Sequence, residues 1–185
     1  PAPIAGSNIE LNAGARGQYA SYDQSFAGSI SGSGRWSRIA LDTAFSVRRF
    51  GDLSGGIAAG TQLLTGYNEG GLYLGAGADL GRGTVVLVYQ GVRQYDGQHS
   101  QKSQPGDLYS ISELQRDLVY LRYDNSIETA SRTVDVSATV SYNRQGEQTS
   151  HQLIALDRLE RHLNRVDVLG VSAVARTDLG RGGEL

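Results

Sequence analysis

The sequence predicts an all-β chain, an antiparallel up-and-down meander of about eight strands, on three observations. Apolar and polar residues alternate with a period of two over runs of about ten residues, the pattern of a strand whose two faces meet different surroundings. The connections between these runs alternate between short and long. The composition, Gly 25 against Pro 3 with 39% apolar residues, supplies few helix formers and no long apolar stretch.

The first strand reads over about 9–21, where Ile9, Leu11, Ala13, Ala15, Gly17 and Tyr19 share one face and Glu10, Asn12, Gly14, Arg16 and Gln18 the other. A weaker run, Phe26 to Gly32, places the second strand at about 25–33. The third, about 38–48, sets Ile39, Leu41, Thr43, Phe45 and Val47 against Arg38, Ala40, Asp42, Ala44, Ser46 and Arg48, so most of its charge lies on a single face. Strands at about 71–80, 84–95 and 116–124 follow from Leu72 to Leu80, Val85 to Tyr95 and Asp117 to Tyr123. The seventh, about 132–144, repeats the strong pattern, with Val134, Val136, Ala138, Val140 and Tyr142 between Thr133, Asp135, Ser137, Thr139 and Ser141. The eighth spans about 166–177.

Gly34 to Ser37, Gly81 to Gly83 and Asn125 to Ser131 are expected as short connections, and Phe50 to Glu69, Asp96 to Gln115 and Gly146 to Asn164 as long loops. Tyr22 to Ser25 is a tight first connection. Gly51, Gly55, Gly56, Gly60, Gly66, Gly97, Pro105 and Gly106 are the residues loops use. Leu153, Leu156, Leu159 and Leu163 recur at helical spacing, so the third long connection reads either as a short amphipathic helix or as an extended hairpin.

Short turns at one end and long loops at the other are the habit of transmembrane β-barrels. Apolar stretches such as Thr84 to Tyr89 fall far short of the roughly 20 residues a spanning helix needs, so any crossing is made by strands. Ten Tyr beside one Trp and three Phe suit a surface that is apolar at one end and wet at the other. Tyr19, Tyr22, Phe45, Phe50, Tyr95 and Tyr142 fall near the same end of their strands, and Trp36 in a short turn, as two aromatic girdles require. The fold class is therefore part of an outer-membrane β-barrel, in contact with outer-membrane lipid.

Chemistry is sparse. The absence of Cys excludes thiolate metal sites and cysteine nucleophiles, and a net charge of -2 gives no reason to invoke nucleic acid. Gly75, Gly77 and Gly81 precede another strand rather than a helix, so they build no phosphate cradle. His99, His151 and His162 have no metal-ligand spacing, and an outer-rim hydrolase would need them beside Asp96, Asp107 or Asp157. No serine sits in a nucleophile elbow. No catalytic, cofactor, metal or ligand-binding residue is singled out, and the chain is not expected to be an enzyme.

Four segments, QYASYDQSFAGSISGSGRW, TGYNEGG, QRDLVYLRYD and DRLERHLNRVDVLGV, resemble the start of the barrel of TonB-dependent outer-membrane receptors. The resemblance begins at about Asn8, covers nearly the whole chain, and rests on texture and segment order. It implies a Gram-negative outer membrane and a 22-strand barrel with a plug domain. It also implies energised uptake of a ferric siderophore, cobalamin or sugar through the TonB complex. Pro1, the lack of Met and of a charged-then-apolar leader, and an ending without a closing aromatic at Leu185 lead to the expectation of a fragment without its plug. The alternative is a complete eight-stranded barrel, structural or an outer-rim hydrolase. Gly14, Ala40, Ala44, Ser46, Gly75, Gly77, Ser137 and Ser141, expected to face inward, are too small to fill so narrow a lumen and favour a wide one.

Overall fold

A computed structural model describes residues 9–54, 60–62, 65–98, 107–129, 132–153 and 158–177. They form ten strands: β1 (Ile9–Ala20), β2 (Ser25–Trp36), β3 (Ile39–Phe50), β4 (Leu53–Ser54), β5 (Thr61–Gln62), β6 (Tyr67–Asp79), β7 (Thr84–Gln98), β8 (Asp107–Glu128), β9 (Thr133–Leu153) and β10 (Arg158–Thr177). Eight of them make one open antiparallel sheet in the order β1-β2-β3-β6-β7-β8-β9-β10, a meander in which every neighbour in space is a neighbour in sequence. The short pair β4-β5 is a separate hairpin in the connection between β3 and β6. Among the described residues there is no helix.

The turns follow their residues. Ser37, in the two-residue link between the paired Trp36 and Ile39, adopts φ 50°, and Gly81 adopts φ 81° beyond β6. There the Asp79 carboxylate accepts from the Gly81 N–H at 2.7 Å, and the Leu80 N–H donates to the Gly83 carbonyl at 2.8 Å. Asp23 holds the β1-β2 turn by accepting from the Ser25 N–H at 3.1 Å. Asp52 does the same beyond β3, accepting from the N–H groups of Thr65 and Gly66 at 3.0 and 3.1 Å.

Two expectations are corrected. The strands run well past the limits of alternation: Phe50 pairs with Tyr67, and β8 begins at Asp107 rather than near 116. Within the expected loop from Gly146 to Asn164, residues 146–153 and 158–164 are strand, because β9 and β10 stay paired up to Leu153 and Arg158. Residues 151–153 and 158–163 are strand, not helix, while 154–157 lie outside the described residues. The reason is physical: ladder hydrogen bonds are made by the backbone and persist where both faces are polar, whereas alternation marks only strands whose faces differ.

The face that carries Ile39, Leu41 and Phe45 is the exposed one. Leu41 is 56% exposed, while its neighbour Ala40, on the polar face, is 1% exposed. Val88, also on the polar face, is 1% exposed, and Gly75 and Gly77 beside it are buried. No second layer covers that face among the described residues, so the shielding comes from curvature toward it and from large side chains lying across small ones. Tyr73 is such a cover, since a Cβ on Gly75 would stand 2.9 Å from its hydroxyl.

Candidate membrane-facing surface and its polar rim

Register places the apolar phase of all eight strands on one face. The row Ala13, Gly32, Thr43, Leu74, Tyr89, Val119, Tyr142, Leu169 crosses the sheet through consecutive ladder pairs. Below it runs Leu11, Gly34, Leu41, Ala76, Leu87, Leu121, Val140, Val171. Together they form a continuous apolar band on the exposed face.

The band is oblique to these rows. On β10 it stops at Leu169, because the next outward residue is Asp167, whereas on β1 it continues six residues above Ala13 to Tyr19. Its lower limit steps the same way. The β2-β3 hairpin ends at Trp36 and Ile39, the β6-β7 hairpin one residue lower at Asp79 and Thr84, and the β8-β9 hairpin four residues lower again at Glu128 and Thr133. Six residues along the strands against seven steps across them is about 20 Å against about 34 Å, an angle of about 30°.

Above the band, the apolar phase passes to charge. Tyr89 leans across Gly91, where a Cβ would meet its hydroxyl at 2.5 Å. That hydroxyl donates at 2.8 Å to Asp117, the ladder partner of Gly91. Arg93 grips both Asp117 oxygens from the other side at 2.9 and 3.1 Å, and Gln115 donates at 2.8 Å. The arrangement recurs two strands on. The Tyr142 hydroxyl donates to Asp167 at 2.5 Å, Arg144 Nε reaches the same oxygen at 3.0 Å, and Arg165 Nε reaches the other at 2.7 Å. The Arg144 guanidinium also stands 5.7 Å from the centre of the Tyr142 ring. Each unit has an aromatic body in the apolar band and a hydroxyl turned toward ions at its edge.

The opposite face is mostly polar, with Val86, Val88, Leu118, Val166 and Val168 among its apolar members, and carries the small residues expected there: Gly14, Ala40, Ala44, Ser46, Gly75, Gly77, Ser137 and Ser141 all share it. Asp42 Oδ2 and Asn143 Oδ1 on this face are shielded yet have no hydrogen-bond partner. Near the far end of β8, the buried Ser112 hydroxyl donates to Glu147 at 3.2 Å beside a β7 bulge in which Asp96 adopts φ 57°.

The aromatic expectations divide. Tyr19, Phe45, Tyr95 and Tyr142 lie on the apolar face, and Trp36, 63% exposed at the end of β2, joins them rather than sitting in the turn. Phe50 does not: it falls on the polar phase and stacks on Tyr67 with ring centres 4.5 Å apart. Tyr22 is in the turn. His99 and Asp157 lie outside the described residues, as do the side chains of His151 and Asp107, and His162 stands 4.0 Å from Glu160. Among the described residues no group of three or more His, Asp or Glu is placed to hold a metal ion. The rim residues Arg93, Asp117, Arg144, Asp167 and Arg165 are not singled out by the sequence reading. Their signal is a break of phase, charge at positions that apolar residues occupy lower on the same strands. Comparison with known proteins finds no matching family model, no matching curated protein and no matching solved structure.

Proposed function

We propose that this chain is a stretch of the wall of an outer-membrane β-barrel of the TonB-dependent receptor type. Its role is energised uptake of a scarce ligand such as a ferric siderophore, cobalamin or sugar, rather than catalysis. The observation that carries the membrane part is the oblique apolar band. Strands of such barrels tilt by roughly 35–45°. A lipid layer of constant thickness therefore crosses the hydrogen-bonded rows at about that angle, and the band here crosses them at about 30°. The upper edge is level from β7 to β10 and climbs from β7 to β1, and a soluble sheet has no reason to shift its apolar stretch in this way.

The receptor part rests on the resemblance of the four segments, and with it the Gram-negative outer membrane, the plug domain and the TonB complex. The polar face suits a wide lumen. It is lined by small residues, and its shielded oxygens on Asp42 and Asn143 want donors from water or from another polar surface. The sheet order leaves β1 and β10 without each other as partners, which supports an arc of a wider barrel over a closed eight-stranded one.

Cysteine is absent, so a pair of spin labels on Tyr19→Cys and Leu169→Cys, the two ends of the upper edge of the band, reports the distance across the sheet cleanly. In bilayers an arc of seven strand spacings keeps them more than about 20 Å apart, and a closed eight-stranded barrel, whose shear brings these two level positions to one seam, brings them within about 15 Å. Transport is tested in cells that make or lack this chain, given a radioactive ferric siderophore, cyanocobalamin or maltodextrin. Accumulation of one of the three that needs the chain and stops on adding a proton uncoupler is expected. Indifference of all three overturns the receptor reading.

A further inference from the structure

We propose that the rim above the apolar band, on β7 to β10, is a binding site for the anionic phosphate headgroup of a membrane lipid. The proposal rests on the membrane reading above and adds a partner to it. Position is the first ground. Tyr89, Val119, Tyr142 and Leu169 are the last residues of the band on their strands, and the charges begin one outward position above Val119, Tyr142 and Leu169. That is the depth at which lipid headgroups replace acyl chains.

Charge is the second. On β7 to β10 the apolar phase at this end carries Arg93, Arg144, Arg161 and Arg165 with Glu113, Asp117 and Asp167, and Asp96 reaches Asn68 on that face at 3.2 Å, so the charges balance over the rim and the positive excess is local to β9 and β10. There Asp167 is one carboxylate against two guanidinium groups, Arg144 and Arg165, so it orders the pair without neutralising it. Asp167 engages both Arg144 and Arg165 through Nε, which fixes the two side chains and leaves the Nη pair of Arg165 for another acceptor. Arg165 is half exposed there. All four cations are arginine, whose planar fork grips a phosphate in two places where an ammonium offers a point charge.

The test uses the full chain in phosphatidylcholine vesicles, with Trp36→Phe removing the one indole and Leu169→Trp placing a new one beside the rim. Quenching by brominated phosphatidylglycerol is compared with quenching by brominated phosphatidylcholine. Phosphatidylglycerol is expected to be preferred by about fivefold, the effect of one arginine at an anionic surface. The double variant Arg144→Gln, Arg165→Gln should bring the preference to about one. Arg35→Gln, on the polar face, should leave it. With the rim intact, raising salt should reduce the preference at least by half. Equal quenching by the two lipids, or a preference that survives the double variant or high salt, overturns the proposal and leaves the membrane face standing. Quenching by neither lipid overturns the membrane face itself.

Discussion

Leu41 and Ala40 are neighbours in sequence and lie on opposite faces of β3, and their exposures, 56% and 1%, are the reverse of what a soluble sheet arranges. In water a half-polar sheet turns its apolar face to the core. Here, on the central strands, the apolar face is open and the opposite one is shielded, while β1 and β10 are exposed on both faces. Leaving a Leu, Ile, Val or Phe side chain exposed forgoes about 1.5–3 kcal/mol each. More than a dozen such residues are exposed on this face, so the sum reaches about 20 kcal/mol or more, above the 5–15 kcal/mol by which whole domains are stable. The difference between the faces is what the proposed membrane-facing surface rests on.

The sharpest way to break this comparison is to place the same charge on both faces. Val140→Arg, in the middle of the band, should lower the unfolding free energy in vesicles by about 2–4 kcal/mol. Its polar-face neighbour Thr139→Arg should cost less than about 1 kcal/mol, since an arginine there reaches water. Denaturant titration in bilayers measures both. Equal costs would mean that the two faces meet the same surroundings.

A smaller effect tests how the apolar face ends. Gly91 is needed because Tyr89 lies across it to reach Asp117. Gly91→Ala should displace the ring, break that bond to a charged acceptor and cost about 1–2 kcal/mol. In a Tyr89→Ala background the same change should cost only a few tenths. A double-mutant cycle reads the coupling, and simple additivity would show that the ring is not held by Asp117.

The smallest effect lies outside the sheet. Hydrogen bonding from Ser25 holds the Asp23 carboxyl below its ordinary value of 3.8. A depressed folded value means that the contribution of Asp23 to the β1-β2 turn is present above about pH 3.8 and fades as pH falls through the lower folded value. Carboxyl titration by NMR should show a midpoint below 3.8, and Asp23→Asn should remove the pH dependence of amide protection in the turn, read as observed against intrinsic exchange, in that range. A midpoint at or above 3.8 would remove the role assigned to Ser25.

Where the two faces differ, the fold was legible residue by residue. β1, β3 and the lower half of β9 follow alternation that can be counted, and the apolar-facing set from Ile39 to Val47 is the one read from the sequence. Where both faces are polar, the signal disappears although the strand does not, as between Gly146 and Leu153. Phe50 misled because its aromatic character outweighed its phase: its even position sets it with Arg48 and Ser46 on the polar face. The rim was legible in principle from Arg93, Asp117, Arg144 and Asp167 breaking phase. The obliquity of the band was not, because it exists only once register fixes which residues of distant strands lie level.

The central claim is tested most directly by a nitroxide scan along β3 in bilayers, one cysteine at a time from Ile39 to Arg48, with no native cysteine to interfere. Dissolved oxygen should relax the labels at 39, 41, 43, 45 and 47 most strongly, and a water-soluble nickel chelate those at 40, 42, 44, 46 and 48. An accessibility without a period of two, or with oxygen favouring the even positions, would contradict a membrane-facing apolar surface.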